Sequence, residues 1–184
     1  SGSDNFGDFF TKRNGSGAIV KGLSLDLRMN YNKIIQFESG FTIQKSSYSE
    51  PVSYSNSLLA VSNFLKTPNS YGYGNLSYTI TDNLSSSMNY IFTGKMDLIH
   101  LGGSINNPND KYVVSNNFHQ FDINLNYTQE LGQMGVELKY LVGLKNITNS
   151  YQSDFDILKN RDSNYVYGPS TPRMIIFGLS FSSL

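Results

Sequence analysis

Seven runs of apolar–polar alternation, joined by connections that are short and long in turn, constrain this chain more than any motif in it. A period of two places successive side chains on opposite faces of an extended strand. The clearest run sets Phe121, Ile123, Leu125 and Tyr127 against Gln120, Asp122, Asn124 and Asn126. Val136, Leu138, Tyr140, Val142 and Leu144 alternate with Glu137, Lys139 and Gly143, and Ile175, Phe177, Leu179 and Phe181 with Ile176, Gly178, Ser180 and Ser182. Upstream lie Leu23–Met29, Ile35–Gln44, Leu76–Ile80 and Leu84–Phe92.

The short turns fall near Asn30–Lys33, Thr81–Asn83 and Gln129–Gly135, and the long connections near Ser46–Ser70, Lys95–Asn116 and Asn146–Thr171. Loops beyond about 12–15 residues are uncommon in compact soluble domains. Transmembrane barrels, by contrast, pair short periplasmic turns with long extracellular loops, and their strands need roughly 9–11 residues to cross obliquely. The pattern predicts an all-β fold: an antiparallel, up-and-down transmembrane β-barrel segment of about seven long strands. Bacterial single-chain barrels normally have an even number of strands, and an open sheet leaves two unpaired edges. Residues 1–184 are therefore read as one part of a larger barrel, residues 1–15 ending a preceding extracellular loop.

Composition agrees and narrows the functional classes. Charged residues make up 15% of the chain, against about 25% in soluble domains. The formal net charge is zero, so no basic face invites nucleic acid. There is no cysteine, hence no disulfide or thiolate metal site. No stretch nears the roughly 18 apolar residues of a membrane-spanning helix, and Ser1–Asn5 lacks the basic and apolar regions of a secretory leader. Barrel strands escape both tests. The polar face would put Asp26, Arg28, Glu38, Asp122, Glu137 and Lys139 in a lumen, with Asp26 and Glu38 paired across strands to Arg28 and Lys45. Tyr31, Tyr90, Tyr127 and Tyr140 suit an aromatic girdle at the membrane boundary.

Catalytic chemistry is scarce. His100 and His119 stand apart without ligand spacing and read as polar surface groups. Asp154 and Asp156 lack the further oxygen ligands and the glycine of a calcium loop. No serine occupies a Gly-x-Ser-x-Gly turn, and Gly72 and Gly74 precede no helix that could hold a dinucleotide. We expect no catalytic residue, no metal site, no cofactor and no enzyme activity. Aromatic and polar loop residues are the candidates for ligand contact: Arg161, Asp162, Tyr165, Tyr167, Tyr54 and Tyr71.

The segment from Asn117 to Phe181 resembles the carboxyl-terminal end of TonB-dependent outer-membrane receptors of the Bacteroidetes type. The likeness is carried by Lys145-Asn146-Ile147-Thr148-Asn149, Tyr151–Asp156, Arg161–Pro169 and Pro172-Arg173 before the alternating tail. It implies the last third of a 22-stranded barrel around a plug, with the plug and the earlier strands absent from this chain. By resemblance, the whole receptor would sit in the bacterial outer membrane and import a scarce nutrient such as a siderophore, haem or cobalamin. TonB, ExbB and ExbD would energise it through the plug. The partners implied are the remaining strands and plug of the same receptor, outer-membrane lipid and, in some members, a surface lipoprotein. Two other readings stay open on the residues. One is a self-contained outer-membrane barrel of about eight strands, drawing its extra strand from residues 5–13. The other is a soluble β-sandwich that binds carbohydrate through its aromatic loops.

Overall fold

The computed structural model describes residues 2–4, 7–9, 15, 17–158 and 161–183. Most of the amino-terminal segment read as a preceding loop, or as a possible eighth strand, lies outside them. Its described pieces, β1 (Gly2–Asp4) and β2 (Gly7–Phe9), pair only with each other.

The seven alternating runs all form strands: β3 (Ala18–Tyr31), β4 (Ile35–Val52), β6 (Ser70–Thr81), β7 (Leu84–Thr93), β10 (Phe118–Leu131), β11 (Val136–Lys145) and β12 (Met174–Ser183). They lie in one antiparallel sheet in the order β12-β11-β10-β7-β6-β4-β3, so each strand is bonded to the next long strand in sequence. Strands of 10 to 18 residues exceed the usual five or six. The sheet does not close: among the described residues, β3 and β12 do not pair with each other.

Register sorts the side chains. Leu27 opposes Ser39, Phe37 opposes Leu76, Met88 opposes Ile123, and Val142 opposes both Leu125 and Phe177, giving one apolar face across the strands. Nothing covers it. Leu23, Leu25, Phe177 and Phe181 are 72% to 80% exposed. Along it, Tyr31, Tyr78, Tyr127 and Tyr140 lie toward the short turns, with Tyr127 and Tyr140 rings 6.2 Å apart. Phe41, Tyr90, Phe92 and His119 lie toward the long loops. Gly72 sits between Phe41 and Phe92 in the ladder; a Cβ there would press on the Phe41 ring. Its absence lets the two rings stack 6.1 Å apart.

The opposite face is polar and holds all six residues expected in a lumen. Arg28 meets Glu38 at 2.8 Å and Lys139 meets Glu137 at 2.9 Å. Asp122 accepts the Asn146 N–H at 2.7 Å, anchoring the start of the last loop. Among the described residues, Asp26 takes no ion pair, and Lys45 is no partner for either acid. Lys45 opposes Lys21 at the loop end of β4, two positions on from Ile43 and so on the apolar side.

The buried apolar residues, Met96, Leu98, Phe118 and Tyr165, lie where the long connections meet the sheet, with Val113 and Tyr167 packed against them. The core therefore belongs to the loops.

Candidate functional site in the loop cap

The three long connections are not bare loops. The first carries β5 (Val61–Asn63), which pairs with the extension of β4. The second folds into a hairpin of β8 (Asp97–His100) and β9 (Lys111–Val114). The third, residues 146–173, carries no strand or helix among its described residues and is held by side chains. Together they form a cap over one end of the sheet.

Buried amides replace ladder bonds in that third connection. Asn146 donates from Nδ2 to the carbonyls of Ser150 and Thr171, and its Oδ1 accepts the Ser150 N–H. Gln152 donates to the Tyr165 carbonyl and accepts the Tyr167 and Gly168 N–H groups. Both are almost fully buried, where unpaired backbone groups would be costly. Gly168 is required by packing, because a Cβ there would press into the Phe118 ring.

At the centre, the His100 ring stacks on Tyr165 with centroids 3.7 Å apart and planes 4° from parallel. Its Nε2 lies 2.9 Å from Asp156 Oδ2. Asp156 also accepts the Asp162 N–H at 3.0 Å and the Ser104 hydroxyl at 3.3 Å. The amide bond and then the His100 contact hold its carboxyl below the usual carboxylate range. His100, expected at the surface, is thus buried between β8 and the third connection. His119, also expected there, is on the apolar face with Nδ1 2.8 Å from the Tyr90 hydroxyl.

The candidate ligand residues divide sharply. Tyr165 is buried, and its hydroxyl donates to Asp154 at 3.0 Å. The Tyr167 hydroxyl also reaches Asp154 at 3.0 Å. Burial, reinforced by the Asp154 charge, pushes the Tyr167 phenol up to about 12 and raises that of Tyr165 further. Asp162 accepts the Leu101 and Asn164 N–H groups at 2.9 Å each. These three residues build the cap. Arg161 is exposed and lines a cleft of about 250 Å³ with Phe155, Asp162, Ser163 and Val166; among the described residues it makes no ion pair with Asp162 or any other acid. Tyr54 is in the first connection, its hydroxyl 3.4 Å from that of Tyr48; burial and that neighbour raise its phenol pKa. Tyr71, expected in a loop, is on β6, on the polar face opposite Thr42 and Thr93. Arg161, Tyr54 and Tyr71 therefore lie on the third connection, the first connection and β6 respectively.

The connections are tied to one another. Ser55 and Ser57 donate to Asp110, with 2.8 Å from Ser57, and Gly102 N–H donates to its other oxygen at 2.7 Å. Tyr112 donates to the Leu59 carbonyl at 2.8 Å, Lys66 N–H to the Asp97 carbonyl at 2.8 Å, and Lys66 Nζ to the Asn164 carbonyl. The signal for this was faint: the partners are common residues up to 98 positions apart. Among the described residues, no group of three or more His, Cys, Asp or Glu is placed to hold a metal ion. No protein-family model matches the chain, and no curated protein matches it.

Proposed function

We propose that this chain is the carboxyl-terminal part of the barrel wall of a TonB-dependent outer-membrane receptor, which imports a scarce nutrient such as a metal chelate. The observation that carries the reading is the two-sided sheet. One face is apolar, uncovered and bounded at both ends by aromatic rings, as a lipid-facing surface requires. His119 and Tyr127, one in each aromatic belt, are eight positions apart on β10. That is about 27 Å along a strand, or roughly 20 Å of height at the usual tilt, near the apolar band of such barrels. The other face carries paired and single charges suited to a wet lumen and a plug.

Short turns at one end and a structured cap at the other support the same orientation, with the cap outside. The open edges of β3 and β12 support further strands beside them, since unpaired backbone is not tolerated in hydrocarbon. A soluble sandwich would need a second layer over the apolar face, and among the described residues there is none. In this reading the segment binds and encloses; TonB, ExbB and ExbD act on the plug.

Fractionation of cells probed with an antibody against this segment tests the proposal. The expected result is a band several times the 20.6 kDa of this chain, in the outer membrane and released by detergent. A 20.6 kDa band in the soluble fraction would overturn it.

A further inference from the structure

The β8–β9 hairpin has two faces. Leu98, Val113 and His100 turn to the cap core, whereas the directly paired Asp97 with Val114 and Ile99 with Tyr112 turn the other way, toward the first connection. Between that second face and β5 lies a cavity of about 300 Å³, walled by Val61, Leu65, Val114, Asn63, Asp97 and Tyr112. Its volume is at the lower end of small-molecule sites.

The lining is apolar apart from one feature. Asp97 Oδ2 accepts a hydrogen bond from Asn63 Nδ2 at 3.1 Å. Among the described residues, no cation lies within ion-pair distance of the carboxylate. The Tyr112 hydroxyl is committed to the Leu59 carbonyl, so the ring serves as wall and not as a donor. An acceptor-only carboxylate beside apolar walls favours an occupant that brings donors and positive charge.

We propose that this cavity binds a small primary amine with an apolar body. The ammonium group donates to Asp97 at the rim and lies within reach of the Tyr112 ring face, and the body fills the space among Val61, Leu65 and Val114. The site belongs to the cap alone and does not depend on transport or on the remaining barrel.

Titration of 2-phenylethylamine into the detergent-solubilised full chain, followed by NMR, tests it. One saturable site is expected. Asp97→Asn keeps an oxygen for Asn63 but removes the charge, and should weaken binding roughly tenfold, or about 1.4 kcal/mol. Val114→Trp changes an exposed side chain and fills the cavity, so it should abolish binding with the rest of the spectrum intact. 2-Phenylethanol should bind roughly tenfold more weakly than the amine. Non-saturable shifts, unchanged affinity in Val114→Trp, or equal affinity for amine and alcohol would each overturn the proposal.

Discussion

Asp156 collects donors from two connections: the Asp162 amide, the His100 ring and the Ser104 hydroxyl. Its carboxyl is depressed in the folded protein, chiefly by the Asp162 amide. A depressed acid stabilises the fold above its unfolded value of about 3.9, and that contribution is lost as pH falls through the folded value. Asp110, lowered first by its Ser55 hydrogen bond and next by the Gly102 amide, follows the same sign. The cap is therefore expected to loosen below about pH 4, while neutral and mildly acidic conditions leave it intact. Amide exchange at Asp162 would show faster opening on the acid limb, and Asp156→Asn should flatten that dependence. Little of this was legible in the sequence. Asp154, Asp156, Tyr165 and Tyr167 stand out as a cluster of chemistry, but their meeting with His100 depends on a contact 56 residues away. Asn146 and Gln152 carry part of the resemblance, but their role as the buried framework of the third connection shows only in the structure.

Strands are a different matter, because each reports its own environment. On β3, Leu27 and Asp26 are neighbours in sequence but belong to faces with different surroundings. In the proposed barrel, Leu27→Lys would place a charge against lipid near the middle of the apolar band and should cost about 2–4 kcal/mol. Asp26→Lys, on the polar face and without an ion-pair partner among the described residues, should cost no more than about 0.5 kcal/mol. Urea titration of the protein refolded into lipid vesicles would separate the two. The same local logic made all seven long strands and their three short turns readable from periodicity. It failed for β5, β8 and β9, which are three or four residues long. Two such positions per face are too few to establish a period, and in β8 the adjacent Leu98 and Ile99 hide the alternation altogether.

For the whole molecule, the sheet and the cap obey different rules. Among the described residues, the sheet has no apolar core of its own, and its order follows the chain; the cap has a small core and is tied by contacts between distant loops. Asp110 joins Ser55 and Ser57 of the first connection to Gly102 of the second. Asp110→Ala is expected to release residues 53–60, so that limited proteolysis cuts there first while the long strands stay protected. The sheet constrains length more tightly than identity. Each strand is one side chain deep toward either surface, so losing a single residue within β10 or β11 would exchange every position beyond it between the apolar and the polar face. Losing two would preserve the sides. Descendants of this chain should therefore vary freely in loop length, and should gain or lose residues within strands only in even numbers.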